Sequence, residues 1–171
     1  IGGAGFSYRA WTLVMEEMGA ADMAMAVSLS VHILAQYPVV TWGTDEQKRR
    51  WLLPTVRGER TCSIAITEPG AGSDAASIAT RAMREGERWK LFGQKHFVSD
   101  GLYSDFFIVS AVTSPQSRPR HVSLFLVDKD LPGVEATRVP RFMHTFVYEH
   151  PEFVFTDVRV EDDAVLGEIG Q

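Results

Sequence analysis

At about residue 58 the hydrophobic pattern of this chain changes period, and few folds accommodate both halves. Before that point apolar residues recur at helical spacing: Trp11, Val14, Met15 and Met18 share one face of a segment from Tyr8 to Met18. A second helix is expected after Asp22, whose carboxylate suits an N-cap, and it runs to about Gln36 before Pro38. Its Ala, Ser and Met content on almost every face implies burial between neighbours. Thr44 followed by Gln47 forms a capping-box pattern for a third helix, "DEQKRRWLLPTV", which Pro54 ends or kinks. From Thr61 onward short apolar stretches alternate with Gly- and Pro-bearing turns. This predicts strands at 61–67, 77–84, 88–92, 105–113, 121–128, 133–139 and 152–160. The fold class expected is α+β: a helical segment, then a small, mostly antiparallel β-barrel or sandwich.

Composition narrows what such a chain does. A hydrophobic fraction of 45%, with ten Phe and four Trp, calls for a substantial buried core. Phe106, Phe107, Phe125, Phe153 and Phe155 are read as that core. A net charge of -5 argues against nucleic-acid binding, and Lys48, Arg49 and Arg50 read as a solvated helix face. Cys62 has no second cysteine to pair with; it fits a reducing compartment and reads as a small buried hydrophobe on a strand. There is no charged-then-apolar leader, and the apolar run from Met23 to Ala35 is shorter than a bilayer requires and carries His32. A soluble chain with no membrane insertion is therefore expected.

The stretch from Ile64 to Asp74 is the richest in chemistry. Ile64, Ile66 and Thr67 suit a strand, and Pro69 removes a ladder donor. Gly70 and Gly72 open backbone angles closed to other residues and let the main chain approach a ligand. Bare N–H groups and the Ser73 hydroxyl would then cradle phosphate oxygens, although a plain surface turn fits the same residues. Gly70, Gly72 and Ala75 also match a loose dinucleotide fingerprint. That reading fails because the Ser-, Ile- and Thr-containing segment after them favours a strand over a crossover helix. His144, Glu149 and His150 lack any recognised metal spacing, so no metal is expected. Ser63, Ser73 and Ser99 have no G-x-S-x-G elbow, which argues against a serine hydrolase.

"AITEPGAGSD", then "GQKHFVSDG", then "LPGVEATRVP" and "FVFTDVRVEDDAVLGEIGQ" stand in an order and spacing that resembles the acyl-CoA dehydrogenase family over most of the chain. The resemblance implies part of the N-terminal helical domain at 1–57 and the middle β-barrel domain, which binds flavin and acyl-CoA, at 58–171. It also implies that the chain is a fragment lacking the C-terminal helical domain, which carries the catalytic glutamate, so no catalytic residue is expected here. The parent activity implied is α,β-dehydrogenation of an acyl-CoA thioester, with hydride passing to N5 of FAD. By the same resemblance Ile64, Ala65, Ile66 and Thr67 lie along the flavin ring, and Gly72 and Ser73 meet its pyrophosphate. Ser73 also contacts the acyl-CoA, while Phe97, Val98 and Ser99 form a second flavin strand whose Ser99 hydroxyl faces N5. Arg118 and Arg120 fall in a loop near the coenzyme A end, where a solvated loop is the competing reading. An electron-transfer flavoprotein as acceptor, a homotetrameric parent and a cytoplasmic location (the mitochondrial matrix in a eukaryote) are implied as well.

Departures bear on the substrate more than on the flavin. Phe97 stands where Trp is common, Ser99 where Thr is, Asp100 where Asn is, and Ile64 where an aromatic is frequent. "RFMHTFVYEHPEF" resembles a histidine-bearing variant branch more than the arginine-bearing one. These point to a branched, aromatic or sterol-derived acyl group. Two alternatives stand beside the dehydrogenase: a flavin-dependent monooxygenase or oxidase on the same fold, and a module without activity when isolated.

Overall fold

The computed structural model describes residues 5–114, 116, 121–143 and 149–170. Ser7 starts α1 (Tyr8–Ala21) by accepting the Ala10 N–H at 3.4 Å. Asp22 starts α2 (Met23–Trp42), its carboxylate accepting from Ala24 N at 2.8 Å and Met25 N at 3.2 Å. The expected stop at Pro38 does not occur. Pro38 lies inside α2, and Ala35, Pro38 and Val39 are all buried, so packing outweighs one lost helical bond. The run judged too short for a bilayer is thus part of a 20-residue helix, long and apolar enough to cross one by length and composition. Its apolarity has another use here, because α2 packs on α1 and on the sheet. Leu13, Met25, Leu34 and Tyr37 remain exposed along these two helices.

The third helix begins with the expected capping box, in which Thr44 and Gln47 satisfy each other's backbone N–H. It runs as α3 (Asp45–Gln47), a π turn (Lys48–Leu52) and α4 (Leu53–Val56). Pro54 neither donates nor tolerates the carbonyl four residues back, and the wider π register ahead of it absorbs both problems.

Eight strands follow among the described residues: β1 (Cys62–Ala65), β2 (Arg81–Glu85), β3 (Arg88–Lys95), β4 (Phe106–Ser114), β5 (His121–Asp128), β6 (Val134–Arg138), β7 (Glu152–Glu161) and β8 (Val165–Leu166). The predicted strand at 77–84 begins late, because a short 3-10 turn at Ala75–Ser77 comes first, closed by Ser77 N on Asp74 O at 3.1 Å. The strand at 88–92 is longer than expected, and β8 was not anticipated; two residues carry too little pattern to be seen.

The sheet order is β6-β7-β3-β2-β4-β5-β8, with β1 attached to β4. A closed barrel is not formed, since β6 pairs with β7 and β8 with β5, and the two ends do not meet. With only two residues, β8 has too short a ladder to bridge them. The sheet is mixed: β1 and β2 both lie parallel to β4, and the other pairs are antiparallel. Its core contains the five phenylalanines read from the sequence, with Phe107 against Phe153 at 4.8 Å between ring centroids. Each buried ring contributes about 1.5–3 kcal/mol of transfer free energy.

Candidate functional site: a satisfied base under a bare glycine rim

One edge of β4 changes partner partway along. Residues Phe106 to Val109 pair with β1, and Val112 then pairs with Arg81 of β2. Between them, Ser110 and Ala111 face the gap left by the excursion of the chain from Ile66 to Thr80. A buried charge fills that gap. Lys95, fully buried, donates from Nζ to Ser110 Oγ at 3.0 Å, to Ile66 O at 3.0 Å and to Glu68 Oε1 at 2.7 Å. The Glu68 carboxylate also accepts Ala79 N at 2.6 Å and Thr80 N at 3.0 Å. Burial by itself would raise the Glu68 carboxyl, but its bonds from Lys95, Thr80 and Ala79 outweigh this and hold it below its ordinary value. Burial lowers Lys95, opposed by the same carboxylate. Glu68 and Lys95 both lie in the motifs quoted above, yet sequence reasoning gave neither a role. A Lys–Glu pair far apart in sequence leaves no local signal.

Above this base sits the rim. Pro69 and Gly70 occupy a tight turn closed by Glu68 N on Ala71 O at 3.0 Å and Ala71 N on Glu68 O at 3.1 Å. Neither Gly70 nor Gly72 takes the left-handed conformation that the sequence reading attributed to them. A Cβ built on either one meets open space. Neither the turn nor the protein's own packing therefore requires glycine here, and the space above the main chain is left clear for something else. Among the described residues, the Thr67 and Ser73 hydroxyls and the N–H groups of Gly72, Ser73 and Asp74 have no hydrogen-bond partner. Thr67 is half-buried and Ser73 exposed. Free donors of this kind on an exposed loop can receive anionic oxygens.

A second segment lies alongside, joined where His96 N donates to Thr67 O at 2.8 Å. It is not the strand expected at 97–99: β3 ends at Lys95, and Phe97 has a φ of 55° and Asp100 one of 59°. Val98 N donates to Pro151 O at 3.1 Å and Asp100 N to Glu149 O at 2.9 Å. Phe97 is half exposed and its ring lies 6.2 Å from that of Phe142. Ser99 Oγ is 2.7 Å from His150 Nδ1, and Ser99 O accepts from Ser63 Oγ at 2.6 Å. Of the residues predicted to meet a cofactor, Ile66, Thr67, Gly72, Ser73 and Phe97 present exposed or half-exposed groups, as do Ile64 and Ser99. Ala65 and Val98 are 1% and 0% exposed, with the Val98 main chain bonded to Pro151 and Gly101.

A cavity of about 600 Å³ opens between α2 and the start of β1, lined by Met25, Leu29, His32, Cys62, Asp100 and Tyr103 among others. Burial pushes the Cys62 thiol up to about 12, with Arg60 pulling the other way, so it is an inert wall. No group of three metal-ligating side chains occurs among the described residues. His144, Arg118 and Arg120 lie outside them.

Residues 63–158 match the acyl-CoA dehydrogenase middle domain, and residues 1–59 match the acyl-CoA dehydrogenase N-terminal domain. The chain is 36% identical over 171 residues to the 3-(aryl)acrylate reductase of Clostridium sporogenes, covering 99% of itself and 45% of that protein. An acyl-CoA dehydrogenase from Geobacillus kaustophilus superposes with a TM-score of 0.91 at 34% identity, over 99% of this chain and 45% of that one. An acyl-CoA dehydrogenase from Bacillus anthracis, solved with FAD, gives a TM-score of 0.88 at 31% identity, over 99% of this chain and 29% of that one. The chain spans less than half the length of these relatives. The bare rim at 67–74, the two glycines that leave space above it and the paired segment at 96–100 therefore stand in a chain that belongs to the acyl-CoA dehydrogenase family.

Proposed function

We propose that this chain is the flavin- and thioester-binding part of a longer FAD-dependent acyl-CoA dehydrogenase. The division proposed is 1–57 as part of the N-terminal helical domain and 58–171 as the middle domain. The apolar face left exposed on α1 and α2, in a chain shorter than half its relatives, supports a missing helical partner. The observation that carries the reading is the rim: two hydroxyls and three N–H groups without a partner among the described residues, beside glycines that leave open space.

The residues divide the work between them. FAD, when bound, would supply the two-electron acceptor, with N5 as the site for the substrate's β-hydrogen as hydride. Gly72 and Ser73 hold the pyrophosphate, with Ser73 also meeting the acyl-CoA. Ile64, Ala65, Ile66 and Thr67 would offer one wall to the ring. Phe97, Val98 and Ser99 would offer the other, with the Ser99 hydroxyl toward N5. The cavity beside Cys62 and Asp100 suits an apolar acyl chain. No glutamate of this chain takes the role of α-proton base. Glu68, the one beneath the rim, is fully engaged by Lys95, Ala79 and Thr80. An electron-transfer flavoprotein as oxidant, a tetrameric parent and a cytoplasmic or matrix location complete the proposal.

Anaerobic mixing of the full-length protein with a panel of acyl-CoA thioesters tests this reading. Bleaching of the flavin absorbance by one class establishes the dehydrogenase and names its substrate. A flavin that stays oxidised with every thioester moves the reading to a monooxygenase or oxidase. A colourless protein that takes up no added FAD refutes both.

A further inference from the structure

We propose that His150 is a positioning residue that sets the direction of the Ser99 hydroxyl; the inference rests on the reading that Ser99 faces the flavin. His150 Nδ1 stands 2.7 Å from Ser99 Oγ. Main-chain bonds on either side of the pair, Val98 N to Pro151 O at 3.1 Å and Asp100 N to Glu149 O at 2.9 Å, hold the two residues opposite one another. The imidazole also meets the Phe142 ring edge-on, with centroids 5.2 Å apart and planes at 86°. From β1, Ser63 Oγ donates to Ser99 O at 2.6 Å and limits the serine's own movement. Phe97 and Asp100, two positions before and one after Ser99, both hold left-handed backbone. Such conformations cost on the order of 1–3 kcal/mol and persist only where the surroundings over-determine them. The segment is thus held in one shape, and the remaining freedom is the rotation of one hydroxyl.

That rotation has two outcomes. If Nδ1 carries a proton it donates to Ser99 Oγ, and the serine proton is free to go to an outside acceptor. If Nδ1 is bare it takes the serine proton, and the oxygen's remaining lone pair meets an outside donor. Oxidised flavin offers an acceptor at N5, and reduced flavin offers an N–H at the same atom. A histidine able to exchange its role with Ser99 suits both states, whereas an isolated hydroxyl has nothing to hold it in either. Lone-residue patterns did not show this, because Ser99 and His150 are separated by 51 positions. In the sequence His150 stands with His144 and Glu149 without any recognised metal spacing, and within the histidine-bearing segment of the variant branch.

The test is a double-mutant cycle on the full-length flavoprotein, reading the flavin midpoint potential and the visible spectrum of the bound flavin. His150→Phe is expected to shift both in the direction, and by about the size, that Ser99→Ala does. Added to Ser99→Ala, it is expected to shift nothing further. His150→Asn places a donor or acceptor where Nδ1 stood, and is expected to restore most of the unsubstituted potential. Should the phenylalanine fail to fold, His150→Leu carries the same comparison. Shifts that add across the two sites, or an asparagine no better than the phenylalanine, overturn the inference. An unsubstituted flavoprotein whose His150 variants leave potential and spectrum unmoved overturns it while leaving the proposed function standing. An unsubstituted protein that holds no flavin overturns both.

Discussion

The base of the glycine loop and its rim are a few residues apart, and they treat polar groups in opposite ways. At the base, Lys95 and Glu68 are almost fully buried and every bond they can make is spent on the chain itself, on Ile66, Ala79, Thr80 and Ser110. At the rim, Thr67, Gly72, Ser73 and Asp74 offer donors that the described protein does not use. Buried polar groups must be paired to avoid a desolvation cost, whereas exposed ones can wait for water or a ligand. The loop is tied down from below by these bonds and left open above. Substitutions at the base should therefore change stability, and those at the rim should change binding.

The largest effect is expected at the base. Glu68→Ala leaves Lys95 charged and buried without its carboxylate, and should cost about 3–5 kcal/mol in urea unfolding. An apolar pair, Glu68→Leu with Lys95→Met, should recover most of that; if it recovers none, the pair is not acting as a pair. Because the Glu68 carboxyl is held below its ordinary value, its contribution is present above that value and is lost as pH falls through the folded-state value. Glu68→Gln should accordingly flatten the acid limb of a thermal-stability profile below the ordinary carboxylate range.

At the rim, Ser73→Ala should weaken FAD binding by about 1.5–3 kcal/mol, the range for a hydrogen bond to a charged group, with the melting temperature of the apoprotein unchanged. Titration of apoprotein with FAD measures it, and a fall in apoprotein stability instead would place Ser73 with the base. Two kinds of glycine then sharpen the contrast. A Cβ at Gly93 would collide with Thr80 Oγ1 and stand 2.7 Å from Thr80 Cα, so Gly93→Ala should destabilise by about 1–3 kcal/mol. Gly70→Ala and Gly72→Ala meet open space and should stay within about 0.5 kcal/mol of the unsubstituted apoprotein, while FAD affinity falls. A stable Gly72→Ala protein with undiminished FAD affinity would mean that the space above the rim has no occupant.

Legibility in the sequence followed locality. The caps at Asp22 and Thr44 were readable because each lies within three residues of what it bonds. The turn at Pro69–Gly70 was readable for the same reason, and the phenylalanine core because each strand carries its own alternation. Misreadings occurred where distant packing set the outcome: α2 passing Pro38, the strand at 77–84 giving way to a 3-10 turn, and Phe97 leaving strand geometry. Ala79 and Thr80 begin no strand at 77 because their N–H groups belong to Glu68, eleven and twelve residues back.

By itself, then, the sequence determined the two-part helical and β organisation, the turn bearing the bare donors, and the family, since these rest on composition, short-range caps and motif spacing. Only the tertiary structure decided that the sheet stays open, that a buried Lys95–Glu68 pair fills the gap in the edge of β4, and that His150 faces Ser99. Each of these joins residues far apart in the chain, whose proximity costs loop-closure entropy and exists only once the whole core has formed.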